Sequence, residues 1–124
     1  MTQSMEDYLE TIYLLVKEKK VARVKDISER MKVKTPSVVN ALKELESRKF
    51  LRHEKYGYID LTENGLIEAK KILDKHQMLT LFLKNIIGVS DENAESDACK
   101  IEHYLSNETI EKMKMFMEQF VKTH

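Results

Sequence analysis

The sequence has 124 residues, of which 34% are charged and 42% are hydrophobic, enough for one domain or for two small ones. Its longest apolar runs, such as residues 12–16, are too short to cross a bilayer, so the sequence predicts no membrane segment. A single Cys excludes an internal disulfide, and the acidic N-terminus lacks the order of a signal peptide. We therefore expect a cytoplasmic protein.

The formal net charge of zero hides an uneven distribution along the chain. Residues 17–55 carry 13 Lys and Arg against 6 Asp and Glu, a net charge of +7. Residues 61–124 carry 8 against 11, a net charge of −3. The basic segment is suited to contact with phosphates, although a solvated lysine-rich surface has the same composition. Charge alone leaves both interpretations open.

Three segments of the first half have apolar residues at helical spacing. Ser4 is the expected N-cap of the first segment. Thr35 followed by Pro36 predicts the start of the third, because Pro is favoured at the first helical position. The predicted helices cover residues 4–19, 25–31 and 35–48.

The pattern then changes to two short strands around Gly57, which is typical of a hairpin turn. Thr62 begins a long helix that should end by Gly88, and Ser90 and Ser106 or Asn107 are N-cap candidates for two more. The predicted strands cover residues 50–54 and 58–61. The three predicted helices that follow cover residues 62–87, 90–105 and 106–121.

The order of these elements indicates a mainly α protein with a winged helix-turn-helix at its start. We predict a DNA-binding domain over residues 1–61, with a small β-wing, and a second, helical domain over residues 62–124. The third helix is where a helix-turn-helix places its recognition element in the major groove. Short three-helix units also occur in protein-interaction domains, and that alternative remains open.

Small and polar residues at the N-terminal end of the third helix would allow close approach to bases and phosphates. Asn40 could contact adenine, and the basic side chains and the wing tip are candidates for phosphate or minor-groove contacts. The candidate DNA-binding residues are Lys34, Thr35, Pro36, Ser37, Asn40, Lys43, Arg48, Arg52, Lys55 and Tyr56.

Side chains that can bind a metal lie in three separate places on the chain. Cys99, Glu102 and His103 can share one helical face, since they are three or four residues apart. Their thiolate, carboxylate and imidazole groups suit borderline transition metals such as Fe²⁺, Co²⁺, Zn²⁺ or Mn²⁺. The other candidates are Asp7, Glu10 and His76.

Each of these residues also has an ordinary interpretation. Asp7 and Glu10 suit the positive end of a helix, and a lone His76 or Cys99 is common without any ligand. A metalloenzyme with Glu102 as a base is a second alternative. It is disfavoured because five or six candidate ligands exceed the three of a usual catalytic zinc site.

Several segments make the chain resemble the diphtheria toxin repressor family of metal-dependent transcriptional regulators, which includes iron-dependent repressors and manganese transport regulators. The similar segments are SMEDYLETIYLL, ARVKDISERMKVKTPSVVNALKELESRKFL, LTENG, KHQML, IIGV and ACKIEHYLS. The resemblance implies a winged-helix domain and a helical metal-binding and dimerisation domain. With 124 residues, we expect the form without an SH3-like third domain.

The resemblance also implies a set of ligands that mixes two patterns. Asp7, Glu10, His76, Glu102 and His103 match the ligands of manganese regulators, whereas Cys99 matches the iron-repressor pattern. We therefore expect Mn²⁺ or Fe²⁺, with Co²⁺ and Zn²⁺ as surrogates. The ancillary site of the diphtheria repressor is not matched, because Thr80 and Glu95 stand at two of its positions.

These features together predict a metal-dependent repressor of metal-homeostasis genes. We expect a homodimer on a palindromic double-stranded operator, with the metal joining the first helix to the later helices and so fixing the spacing of the two recognition helices. The remaining alternative is a winged-helix regulator that needs no metal.

Overall fold

The computed structural model describes residues 1–54 and 57–123, and in that part of the chain it is mainly helical with one small sheet. This confirms the predicted fold class. The helices are α1 (Gln3–Lys19), α2 (Val24–Met31), α3 (Thr35–Ser47), α4 (Glu63–Leu81), a π-helical segment (Phe82–Ile87), α5 (Asp91–Ile101) and α6 (Asn107–Thr123). The strands are β1 (Ala22–Arg23), β2 (Leu51–His53) and β3 (Tyr58–Leu61).

Two helix N-caps differ from the expected residues, which were Ser4 for α1 and Thr35 for α3. Thr2, not Ser4, caps α1, because its Oγ1 accepts a hydrogen bond of 3.2 Å from the backbone N–H of Met5. Lys34 is the N-cap of α3, so Thr35 is already helical. The predicted caps were wrong because Ser and Thr favour both the cap and the first turn, and spacing alone does not separate them.

The sheet contains a strand that the sequence did not predict. Its order is β1-β3-β2 with antiparallel pairing, so β3 lies in the middle. Ala22 pairs with Ile59, and Arg23 pairs with Tyr58. The guanidinium of Arg23 lies 4.6 Å from the centre of the Tyr58 ring and donates a hydrogen bond of 2.6 Å to its hydroxyl. These contacts join the wing to the link between α1 and α2.

The chain divides into two compact units, Met1–Ile72 and Leu73–His124, with the division inside α4. The first unit has a continuous apolar core made by one face of each helix and the inward side of the sheet, as their periodicity predicts. Its most buried members are Leu9, Ile12, Leu15, Ala22, Ile27, Val38, Leu42, Leu45, Leu51, Ile59 and Ala69.

Hydrogen bonds join the start of α4 to the segment between α3 and β2. Thr62 Oγ1 donates a hydrogen bond of 2.6 Å to Lys49 O, and its backbone N–H donates one of 3.1 Å to Phe50 O. The same Oγ1 caps α4 by accepting from the N–H of Gly65 at 3.1 Å. A Cβ on Gly65 would lie 1.9 Å from Phe50 O. Only glycine fits this approach, which explains the LTENG motif.

The second unit has its own smaller core of Met78, Leu79, Ala98, Ile110 and Met117. The long helix does not remain α-helical up to Gly88 as predicted. It continues from Leu81 as the π-helical segment and ends at Gly88, whose φ of 86° lies in the left-handed region. Helix α5 also ends at Ile101, earlier than the predicted Leu105.

Within the described residues, every helix is too short or too polar to traverse a lipid bilayer.

Candidate metal centre and DNA-facing surface

The predicted metal ligands lie in both units. Asp7 and Glu10 are half-buried on α1 in the first unit. His76 lies on α4 in the second unit and is 8% exposed. Glu102 is the residue at the C-terminal end of α5, and His103 follows it. Cys99, one turn before Glu102, is exposed.

Within the second unit, the structure brings two imidazoles to one carboxylate. His76 Nδ1 lies 2.9 Å from Glu102 Oε2, and His103 Nε2 lies 3.2 Å from Glu102 Oε1. The side chains of Glu102 and His103 are 1% and 3% exposed. The end of α5 produces this arrangement, because the N–H of Glu102 still bonds to Ala98 O while the chain turns away after it.

The donor set around Glu102 fits a divalent cation. A buried carboxylate is costly unless its lone pairs are satisfied by hydrogen bonds or by positive charge. Among residues 1–54 and 57–123, Oε1 of Glu102 accepts no hydrogen bond of good geometry, although it is fully buried. Carboxylate oxygens and imidazole nitrogens are both ligands of Mn²⁺ and Fe²⁺.

A second carboxylate, Glu95 on α5, contacts the other side of the His76 ring. Its Oε1 lies 2.7 Å from His76 Nε2. The hydrogen bond to Glu102, and then the one to Glu95, raise the pKa of His76 to about 9, against the opposing effect of burial. His76 is therefore an imidazolium at neutral pH in the metal-free protein, and both ring N–H groups donate to carboxylates.

Glu95 was not among the predicted site residues, because the resemblance marked it only as a mismatch to the ancillary site of the diphtheria repressor. A usable signal was present in the spacing. Glu95 and Glu102 are seven residues apart, which places them on the same side of a helix after two turns.

The predicted DNA-facing residues lie on the outer side of α3 and around it. Val38, Leu42 and Leu45 are buried, so the opposite side of the helix is left for solvent. Arg48 is engaged by Glu44 on the same helix, with Nε 3.3 Å from Oε1. Lys55 and Tyr56 lie outside the described residues. The exposed candidates are Lys34, Thr35, Pro36, Ser37, Asn40, Lys43, Arg48 and Arg52.

Comparison with known proteins identifies the class to which this fold and this donor set belong. Residues 1–59 match the N-terminal DNA-binding domain of the iron-dependent repressors. Residues 62–124 match their metal-binding and dimerisation domain. The class is that of metal-dependent, DNA-binding transcriptional regulators, and it consists of regulators rather than enzymes. The chain belongs to the iron-dependent repressor family.

Individual relatives agree with this assignment. The chain is 43% identical to an uncharacterised helix-turn-helix-type transcriptional regulator of Methanocaldococcus jannaschii, over 97% of both proteins. It is 40% identical to the helix-turn-helix-type transcriptional regulator MntR of Bacillus subtilis, over 96% of this chain and 83% of that one.

The solved structure of the manganese regulator SloR is similar in fold and sequence. Its TM-score is 0.80 at 30% identity, and the match covers 95% of this chain and 55% of SloR. The chain thus spans about half the length of that structure. The predicted metal-dependent DNA-binding regulator is confirmed at the level of the family.

Proposed function

We propose that this protein is a homodimeric transcriptional repressor that binds a palindromic operator when Mn²⁺ or Fe²⁺ occupies the site around Glu102. It would act in the cytoplasm on metal-homeostasis genes, with a DNA-binding domain over residues 1–61 and a metal-binding and dimerisation domain over residues 62–124. The proposed ligands are Asp7, Glu10, His76, Cys99, Glu102 and His103.

The observation that carries the proposal is the position of Glu102 between two imidazoles. Its carboxylate is 1% exposed and has His76 on one oxygen and His103 near the other. A buried acid with an oxygen that accepts no hydrogen bond of good geometry in the described chain is poorly satisfied by protein groups alone. A cation at this place would satisfy it, and the matched domain is a metal-binding one.

The identity of the ion depends on whether Cys99 takes part. Carboxylate oxygens favour Mn²⁺, and a thiolate favours Fe²⁺ or a softer ion. The family is described by its dependence on iron, while SloR is described as a manganese regulator. Cys99 is exposed, so its thiolate is accessible to an ion. Exposure alone does not place its Sγ beside Glu102.

We infer that the acidic side chains on α1 make DNA binding depend on the metal. Asp7 and Glu10 carry negative charge that would repel Glu102 if the three approached without a cation. A bound divalent ion supplies the positive charge that allows these carboxylates to share one site. The two recognition helices of the dimer would then be held about 34 Å apart, the spacing of successive major grooves. The coupling expected for such a switch is about 1–3 kcal/mol.

The test is binding of the purified protein to its own upstream DNA in a gel-shift assay. Binding is measured with Mn²⁺, with Fe²⁺ under anaerobic conditions, and with a chelator. We expect binding only with metal, and loss of it in Glu102→Ala and His103→Ala. Glu92→Ala is the matched control, since Glu92 is an exposed acid in the first turn of α5. Normal binding by the Glu102 and His103 variants would contradict the proposed site.

A further inference from the structure

We propose that Glu95 is a positioning residue for the metal site, which holds Nε2–H of His76 and so turns Nδ1 of that ring towards the ion. This inference rests on the proposed function, because it concerns how His76 is presented as a ligand. It assigns a role to a residue that the predicted ligand set does not contain.

The two nitrogens of His76 have different surroundings. Nδ1 faces Glu102 Oε2 at 2.9 Å, on the buried side where His103 also lies. Nε2 faces Glu95 Oε1 at 2.7 Å, and the Glu95 side chain is 64% exposed. The buried side holds the converging donors, so it is the side on which a cation would be held.

An imidazole that binds a metal through one nitrogen keeps its proton on the other. That remaining N–H is commonly donated to a carboxylate, which fixes the tautomer and the ring orientation. For His76 with Nδ1 as the ligand atom, the remaining donor is Nε2–H. Glu95 Oε1 is already at hydrogen-bonding distance from it, at 2.7 Å.

The geometry separates this role from direct ligation. The two ring nitrogens point away from each other, so an oxygen 2.7 Å from Nε2 lies on the far side of the ring from an ion at Nδ1. Thr80 does not compete for the ring, because its Oγ1 donates to His76 O at 2.9 Å. Glu95 therefore acts on the ion through His76.

The test compares Glu95→Gln with Glu95→Ala, which have the same charge but differ in whether the side chain accepts a hydrogen bond. Co²⁺ affinity is measured by competition with a chelator. Loss of such a partner typically weakens metal binding about 10–100-fold, and we expect this for Glu95→Ala. Glu95→Gln should bind clearly more tightly than Glu95→Ala. Equal affinities for the two variants would overturn the proposal.

Two spectroscopic readouts separate positioning from folding and from ligation. The visible absorption of bound Co²⁺ should be the same in wild type and Glu95→Gln, because the ligands are unchanged. In the Zn²⁺-loaded, ¹⁵N-histidine-labelled protein, His76 should show a proton on Nε2 and none on Nδ1. A changed Co²⁺ spectrum in Glu95→Gln, or a proton on Nδ1, would contradict the assignment.

The controls also separate failure of this inference from failure of the proposed function. Glu92→Ala should bind Co²⁺ like wild type. If wild type binds no better than Glu102→Ala, the proposed site itself is wrong. If wild type and Glu95→Ala bind equally while Glu102→Ala does not bind, only the role of Glu95 is wrong.

Discussion

Replacing Gly65 by Ala should destabilise the first unit, because it forces α4 away from the start of β2. The added Cβ would lie 1.9 Å from Phe50 O, whereas real Cβ atoms almost never come closer than 3.0 Å to such an atom. Phe50 O is a backbone atom and cannot rotate away. The helix start therefore has to move by about 1 Å, which is enough to break a hydrogen bond.

The size of the effect follows from the contacts at this place. The two hydrogen bonds of Thr62, to Lys49 O and Phe50 O, together contribute about 2 kcal/mol. Overpacking adds about 1–3 kcal/mol, and the better helix propensity of Ala returns about 1 kcal/mol. We expect Gly65→Ala to lower the free energy of unfolding by about 2–4 kcal/mol.

Urea denaturation of the metal-free protein, followed by circular dichroism, measures this difference. Asn64→Ala is the control, since Asn64 is an exposed neighbour in the same helical turn. It should leave the stability within about 0.5 kcal/mol of wild type, as is usual for surface substitutions. A Gly65→Ala protein as stable as Asn64→Ala would refute the argument from close approach.

The metal site and the DNA-facing helix give four more tests. Because Glu102 and Glu95 raise the pKa of His76 to about 9, bound metal must displace a proton. The apparent Mn²⁺ affinity, measured by competition with a chelator, should therefore rise about tenfold from pH 7 to pH 8. The variant His76→Gln should lose this pH dependence, and the control His53→Gln should keep it. Protonated His76 also stabilises the metal-free fold, and this contribution is complete below about pH 6.5. It is lost as the pH rises through about 9, and denaturation at several pH values measures the loss. Cys99→Glu should shift the ranking of measured affinities towards Mn²⁺, and an unchanged ranking would mean that the Cys99 thiolate is not a ligand. Lys34→Ala should weaken binding to all DNA sequences alike and lower the salt slope of the affinity by about 1 in fluorescence anisotropy, and an unaltered slope would exclude a phosphate contact.

The helices and the wing could be predicted because their signals are local. Apolar residues at a spacing of three and four mark α1 and α3, and Gly57, with a φ of 88°, marks the turn. Strand β1 could not be found in this way, since two residues have no periodicity and it exists only through its pairing with β3. The π-helical segment could not be predicted either. Its hydrogen bonds join residues five apart instead of four, and this change has no signature in the composition.

The site could be predicted as a set of residue types but not as a set of contacts. The donors Glu102 and His103 are readable from a motif. The hydrogen bond between Glu95 and His76 joins two helices, and the sequence gives no direct signal for such a pairing. The exposure of Cys99 depends on which side of α5 packs against the second core, and it is Ala98 that lies in that core.

The pairing of β1 with β3 has a mechanical consequence for how the protein can meet DNA. Arg23 belongs to the sheet and is also the N-cap of α2, where its N–H donates to Asp26 at 3.2 Å. A tilt of the wing would therefore pull on α2 and, through the packing of the first core, on α3. In the described residues, β3 and α3 are therefore coupled through β1, α2 and the shared core. If the protein binds DNA as proposed, the wing strands and α3 would meet the duplex in a fixed mutual orientation.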